Sequence, residues 1–307
     1  MRTAYISHPD CLRHEMIQGH PECPKRIGAI EDRLLAAGIL DFLQYYNAPA
    51  ASIWQLRRVH RRRHVWKILS GSPKEGLTHI DPDTYMNPHT THAARRAAGA
   101  VVLGTNLVID KKVDNAFCCV RPPGHHAERS EAMGFCFFNN IAVGAAHAIA
   151  RHHLKRVAIL DFDVHHGNGT EDIFENDQRV MVCSAYQHPF YPYSGRPTVD
   201  GRLINVELPS GTTGEEFRRA ITEKWFPQLH AFRPQMIFIS AGFDAHAEDD
   251  MADLRLLEDD YTWITREIMA LAEQYAENRI VSTLEGGYNL HALGRSVAAH
   301  IKTLMRL

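Results

Sequence analysis

LDFDVHHGNGT, residues 160–170, packs two carboxylates and two adjacent imidazoles into six positions straight after the apolar run RVAIL (156–160). A short β-branched run followed by glycine-punctuated polar groups reads as a buried strand whose end opens onto a pocket. The pattern recurs. NAFCCV (115–120) leads into RPPGHH, VMVCSA (180–185) into YQHPFYPYSG, MIFIS (236–240) into AGFDAH, and IVSTL (280–284) into EGGYN, while TAYIS (3–7) adds a sixth strand. Between them lie amphipathic segments. PKRIGAIEDRLLAAG (24–38) opens on proline and closes on glycine, TTGEEFRRAITEKW (212–225) offers Thr213 as N-cap, and DDYTWITREIMALAEQYAE (259–277) keeps apolar residues at helical spacing. This alternation predicts an α/β fold with a mostly parallel sheet covered by helices on both faces. All strand C-termini of such a sheet share one edge, so clusters far apart in sequence meet in one crevice.

At 307 residues the chain is near the upper size of one hydrophobic core, and with no linker, repeat or low-complexity stretch it predicts one domain over residues 1–307. Its formal net charge of −2 gives no global field for nucleic acid. The one basic run, RRVHRRRH (57–64), lacks interleaved aromatics and reads as a solvated helix face. HH at 152–153 reads as surface. Six cysteines without a CxxC pair imply reduced thiols, and no stretch of about 18 apolar residues or leader-like N-terminus is present. The expectation is a cytoplasmic protein with no membrane contact; oligomeric state is unreadable.

Asp161, Asp163 and His165 alternate, so in extended backbone they share a face and can share a cation. Asp244, at another strand end, is the natural further ligand. Two carboxylates and one imidazole leave a coordination position open, the catalytic rather than the structural pattern for zinc, although iron(II) or cobalt(II) fits the same set. A capping turn with satisfied histidines is the competing reading of this stretch alone. His125 and His126 add two imidazoles suited to proton transfer, with Asp161 a partner for one of them. Tyr288, on a glycine-rich loop, either donates to an oxygen gaining charge or caps the core.

Taken together, HPECPKRI, RPPGHHA, MGFCFFNN, LDFDVHHGNGT, SAGFDAH and LEGGYN resemble, in order and over nearly the whole chain, the histone deacetylase family, in its class II-like pattern. The resemblance implies an arginase/deacetylase-like three-layer α/β/α fold and removal of acetyl groups from acetyl-lysine or similar amines. It implies one Zn²⁺ held by Asp163, His165 and Asp244, a catalytic pair His125 and His126 backed by Asp161 and Asn168, and Tyr288 polarising the acetyl carbonyl. Gly134, Phe135 and Tyr191 match the walls of the substrate tunnel, Met251 its gate, and Arg26 an inner acetate channel. A structural K⁺ is implied at the backbone of Asp161, Asp163 and His165 with Ser184. Which histidine protonates the leaving amine stays open.

Three rivals remain. An acetylpolyamine amidohydrolase would use the same machinery with acids at the entrance, for which Glu15, Glu22 and the acids at 248–250 are candidates. An arginase-like two-metal enzyme needs a second aspartate where His246 stands. A silent binder of acetylated ligands would lack a ligand or the tyrosine, and all are present.

Overall fold

The computed structural model describes residues 1–195 and 201–307. Its strands are β1 (Thr3–Ser7), β2 (Gln44–Asn47), β3 (Thr78–Asp81), β4 (Thr84–Met86), β5 (Asn115–Cys118), β6 (Val157–Asp161), β7 (Val180–Gln187), β8 (Leu203–Leu208), β9 (Met236–Ala241) and β10 (Ile280–Leu284). Eight form one sheet in the order β2-β1-β5-β10-β9-β6-β7-β8, and every pair in it is parallel. β3 and β4 make a separate antiparallel hairpin.

The helices sit as the patterning requires. Lys25–Ala36, Leu290–Met305 and Glu258–Tyr275 pack together on one face; Thr90–Ile109 and Asn140–His152 pack together on the other. Thr213 caps Gly214–Phe232 through a capping box with Glu216, and Gly38 follows the end of Lys25–Ala36 at φ 67°. β5, β6, β9 and β10 are buried at every residue, which is why their sequences run apolar without alternation. The two sheet strands that the sequence did not announce are the edges. QYYN in β2 alternates half-buried with exposed residues, and LINVEL in β8 sets half-buried and exposed residues among buried ones, as a strand with one open side does.

Two surface readings are corrected. In the basic run only the arginines face solvent; His60 and His64 are buried, His60 Nδ1 donating to the Glu128 carbonyl at 2.8 Å while its Nε2 accepts from the Asn139 amide at 2.9 Å. His153 is exposed, but His152 reaches inward to Asn106 Oδ1 at 2.7 Å. Among the described residues no helix is long and apolar enough to cross a membrane, and all six cysteines are free.

The topology decides where the chemistry gathers. β5 and β6, consecutive in the sheet's chain order, flank the β10–β9 pair, so the segments after β5, β6, β9 and β10 converge on one stretch of the C-terminal edge.

Candidate active site

At that edge a cavity of about 210 Å³ is lined by Asp83, Pro123, His125, His126, Gly134, Phe135, His165, Phe190, Tyr191, Met251, Gly286 and Tyr288. Asp163, His165 and Asp244 lie buried beside it with their donor atoms within 4.8 Å of one another. His165 Nδ1 is 3.0 Å from Asp163 Oδ1 and 3.2 Å from Asp244 Oδ2. Tetrahedral bonds of 2.0–2.1 Å place neighbouring donors roughly 3.3 Å apart, so these three can hold a metal ion. Asp244 Oδ1 accepts from the Val164 amide at 3.0 Å, while Oδ2 is buried without a hydrogen-bond partner, an acceptor aimed at the cluster. Burial, with the like charge of Asp163 behind it, pushes the Asp244 carboxyl up to about 6. Gly286 approaches so closely that a methyl there would enter both carboxylates, and its amide donates to Asp163 Oδ2 at 2.8 Å.

β6 stops at Asp161, so the alternation argument that placed Asp161 beside Asp163 and His165 fails at the strand end. Asp161 turns instead to His125, whose Nδ1 donates to Asp161 Oδ2 at 2.9 Å. The His126 ring meets Asn168 Oδ1 at 2.7 Å, and the two imidazole centroids are 4.0 Å apart. Their environments differ. Burial opposes charge on both, yet the Asp163 and Asp161 carboxylates hold His125 well above the usual histidine value. Burial pushes His126 well below it, and the neighbouring His125 and His165 add to the shift.

Tyr288 stands across the cavity, edge-on to Phe135 with centroids 6.0 Å apart, and the Arg26 guanidinium lies 4.9 Å over its ring. Burial keeps the phenol protonated. Gly134 and Phe135 both adopt left-handed backbone, φ 55° and 68°, a conformation that turns the Phe135 ring into the cavity and brings Gly134 against His126. Tyr191 packs edge-on to His126 at 5.3 Å, and Phe190 stacks on His165 at 5.5 Å. Ser184 is buried beside Asp161 in the β6–β7 ladder with its Oγ unpartnered.

Of the expected entrance acids, Glu15, Glu22, Glu248 and Asp249 are engaged elsewhere. Glu15 lines a separate surface hollow. Glu22 is wholly buried, its carboxylate shared by Arg121, Arg26 and His14, with Arg121 Nη2 at 2.6 Å. Asp249 is buried under the Tyr288 loop and accepts from the Tyr288 and Asn289 amides at 2.6 and 2.9 Å; Glu248 pairs with Arg295. The acid that does line the cavity is Asp83, from the β3–β4 hairpin, which is pinned to the opposite wall by Asp81 to the Gly134 amide and Thr84 to the Phe135 amide. No sequence motif marked it. Glu285 was also missed; it accepts from the Gly124 and His125 amides at 2.6 and 3.1 Å and so fixes the loop that carries the histidines.

The Glu22 cluster yields a stability test. Burial would raise its pKa, but Arg121, His14 and Arg26 outweigh it and hold the carboxyl well below the ordinary value of 4.5. That contribution is complete above about pH 4.5 and is lost as pH falls. Glu22→Ala leaves two buried guanidiniums unneutralised and is expected to cost about 3–5 kcal/mol in urea unfolding at pH 7; a loss under 1 kcal/mol would refute this account.

Residues 20–304 match the histone deacetylase domain model. A probable deacetylase of Archaeoglobus fulgidus is 36% identical, covering 94% of this chain and 82% of the relative. The human polyamine deacetylase HDAC10 is 33% identical over 99% of this chain and 48% of its own length. The crystal structure of the HDA15 HD domain superposes with TM-score 0.93 at 34% identity, covering 99% of this chain and 88% of that one. With fold, matched span and relatives in agreement, the chain belongs to the histone deacetylase family.

Proposed function

We propose that the protein is a zinc-dependent amidohydrolase that removes acetyl groups from acetyl-lysine side chains or small acetylated amines. The observation that carries this is the three-donor cluster of Asp163, His165 and Asp244 beside a histidine pair with unlike partners, all at the end of an aromatic-walled cavity. Asp163, His165 and Asp244 would hold the ion, and their two carboxylates would offset its divalent charge. Zinc there supplies Lewis acidity to the amide carbonyl and lowers the pKa of the attacking water.

The chain's own residues do the rest. Phe135 and Tyr191 grip the aliphatic arm of the amine and exclude water from it. Tyr288 donates its phenol hydrogen to the carbonyl oxygen as that oxygen gains charge. His126, with Nδ1–H engaged by neutral Asn168, presents Nε2 as acceptor for the water proton and returns it to the amine nitrogen as the C–N bond breaks. His125, bound to the Asp161 carboxylate, keeps positive charge beside the developing oxyanion. Arg26, directly behind Tyr288, lies where released acetate would leave. The backbone of Asp161, Asp163 and His165 with Ser184 is assigned to a structural K⁺, which gives the orphaned Ser184 Oγ a partner.

Asp83 favours a second reading, an acetylpolyamine amidohydrolase, because a carboxylate on the cavity wall attracts a substrate that carries further ammonium groups. Burial and Asp81 push its carboxyl up to about 6, so this attraction grows as pH rises from 5 to 7. Acetate release from an acetyl-lysine peptide, N-acetylputrescine and N-acetylspermidine, compared as kcat/KM, tests both readings. Asp83→Asn is expected to lower kcat/KM for N-acetylspermidine about threefold to fivefold and to leave a neutral acetyl-lysine peptide within twofold. Equal effects on the two substrates would remove Asp83 as a selector of cations, and no release from any of them would refute the amidohydrolase reading.

A further inference from the structure

Asn168 raises a problem that an aspartate in its place would not. A carboxylate accepts from the His126 ring with either oxygen, whereas a carboxamide has an acceptor end and a donor end of nearly equal shape. With Oδ1 toward the ring, His126 carries its proton on Nδ1 and leaves Nε2 free to accept. With Nδ2 toward the ring, Nδ1 becomes the acceptor, the proton moves to Nε2, and the base is lost.

The surroundings of Asn168 resolve the ambiguity. Its Nδ2 donates to Glu128 Oε1 at 2.8 Å and faces Met133 Sδ at 3.3 Å. A carboxylate and a thioether are both acceptors, so the flipped amide would set its oxygen against two electron-rich atoms. Glu128 is itself held at both backbone polar groups, its amide donating to the Glu131 carbonyl at 2.9 Å and its carbonyl accepting from buried His60 at 2.8 Å. A fixed carboxylate therefore sits behind the amide.

We infer that Glu128 is a positioning residue for catalysis, locking the Asn168 carboxamide so that His126 is held in the Nδ1–H tautomer. The inference rests on His126 as the proton acceptor proposed above. It assigns to Glu128, which touches neither the cavity nor the metal cluster, control over which ring nitrogen faces the substrate. It also explains how a neutral asparagine serves at this position: the charge that fixes the geometry is displaced by one residue.

The test uses zinc-loaded full-length protein. Glu128→Ala is expected to lower kcat by roughly 10- to 100-fold, the loss of one charge-assisted hydrogen bond, with KM within about twofold. Glu128→Gln, whose side-chain oxygen can still accept from Asn168 Nδ2, should recover most of kcat. Adding Asn168→Asp to Glu128→Ala should also recover it, because a symmetric carboxylate has no wrong orientation. Histidine side-chain ¹⁵N spectra, with the His126 signals identified through His126→Ala, should show Nδ1–H in the parent and a mixture or Nε2–H in Glu128→Ala. An unchanged tautomer in Glu128→Ala would overturn the inference. So would a loss of kcat that neither Glu128→Gln nor Asn168→Asp repairs, since Glu128 would then merely hold its turn. If no acylated amine is hydrolysed, the functional reading fails while the spectra still decide the role of Glu128.

Discussion

Asp244→Ala releases no acetate from substrates that the parent cleaves, and zinc added after chelation restores the parent but not the variant. Asp244 supplies the one buried carboxylate oxygen of the cluster that has no hydrogen bond, so its loss removes a donor for which the surrounding backbone has no substitute. A bound zinc would lower the pKa of the attacking water; that activation is lost with the ion, and turnover should fall by on the order of 10⁴-fold or more. The metal content of the purified parent should be near one zinc per chain. A second ion lacks a ligand: His246, where an arginase-like site needs an aspartate, is turned toward Glu258 at 3.4 Å and accepts from the Glu248 amide. Chelation should also lower Tm, because the ion binds the folded state alone and its removal leaves Asp163 and Asp244 facing each other in the interior. A chelated protein with full turnover, or a metal ratio near two, would refute this account.

The parts of the molecule legible in the sequence are those whose signal is local. β6, β9 and β10 are buried on both faces, so VAILD, MIFISA and IVSTL announce themselves as mostly apolar, β-branched runs without polar alternation. Parallel order then brings Asp163, His165 and Asp244 together without any knowledge of contacts. What escaped reading depends on partners distant in the chain. Glu22 looked like an entrance acid because nothing near it in sequence reveals Arg121, 99 positions away, as its counter-ion. Asp83 lies in a short hairpin outside the main sheet and reaches the cavity only because that hairpin is bonded to Gly134 and Phe135. Asp161 offered two readings, a face shared with Asp163 and His165 or a partner for a histidine; β6 ends at that residue, and its carboxylate meets His125. Asp249 stood in a segment already singled out, yet its bonds to the Tyr288 loop are made to backbone amides, which carry no residue-specific signal.

His126→Ala should keep its zinc and lose most of its turnover, a combination that separates proton transfer from metal binding. The His126 ring contributes no atom to the three-donor cluster, and its hydrogen-bond partner is Asn168, so its removal leaves Asp163, His165 and Asp244 with the bonds they have. Metal content should stay near that of the parent. The water proton then has no acceptor on this wall, and since a positioned general base contributes typically 10²–10⁴-fold, kcat should fall within that range while KM changes little. His125 is not an equivalent base, because its Nδ1–H is bound to the Asp161 carboxylate, which stabilises positive charge on the ring. The space vacated lies between His125, Gly134 and Tyr191 and opens on the cavity, so added imidazole should restore part of the rate, as it would not if the loss came from a collapsed fold. Near-parental kcat with zinc retained would remove His126 from proton transfer and with it the reason for the Asn168 and Glu128 arrangement behind it.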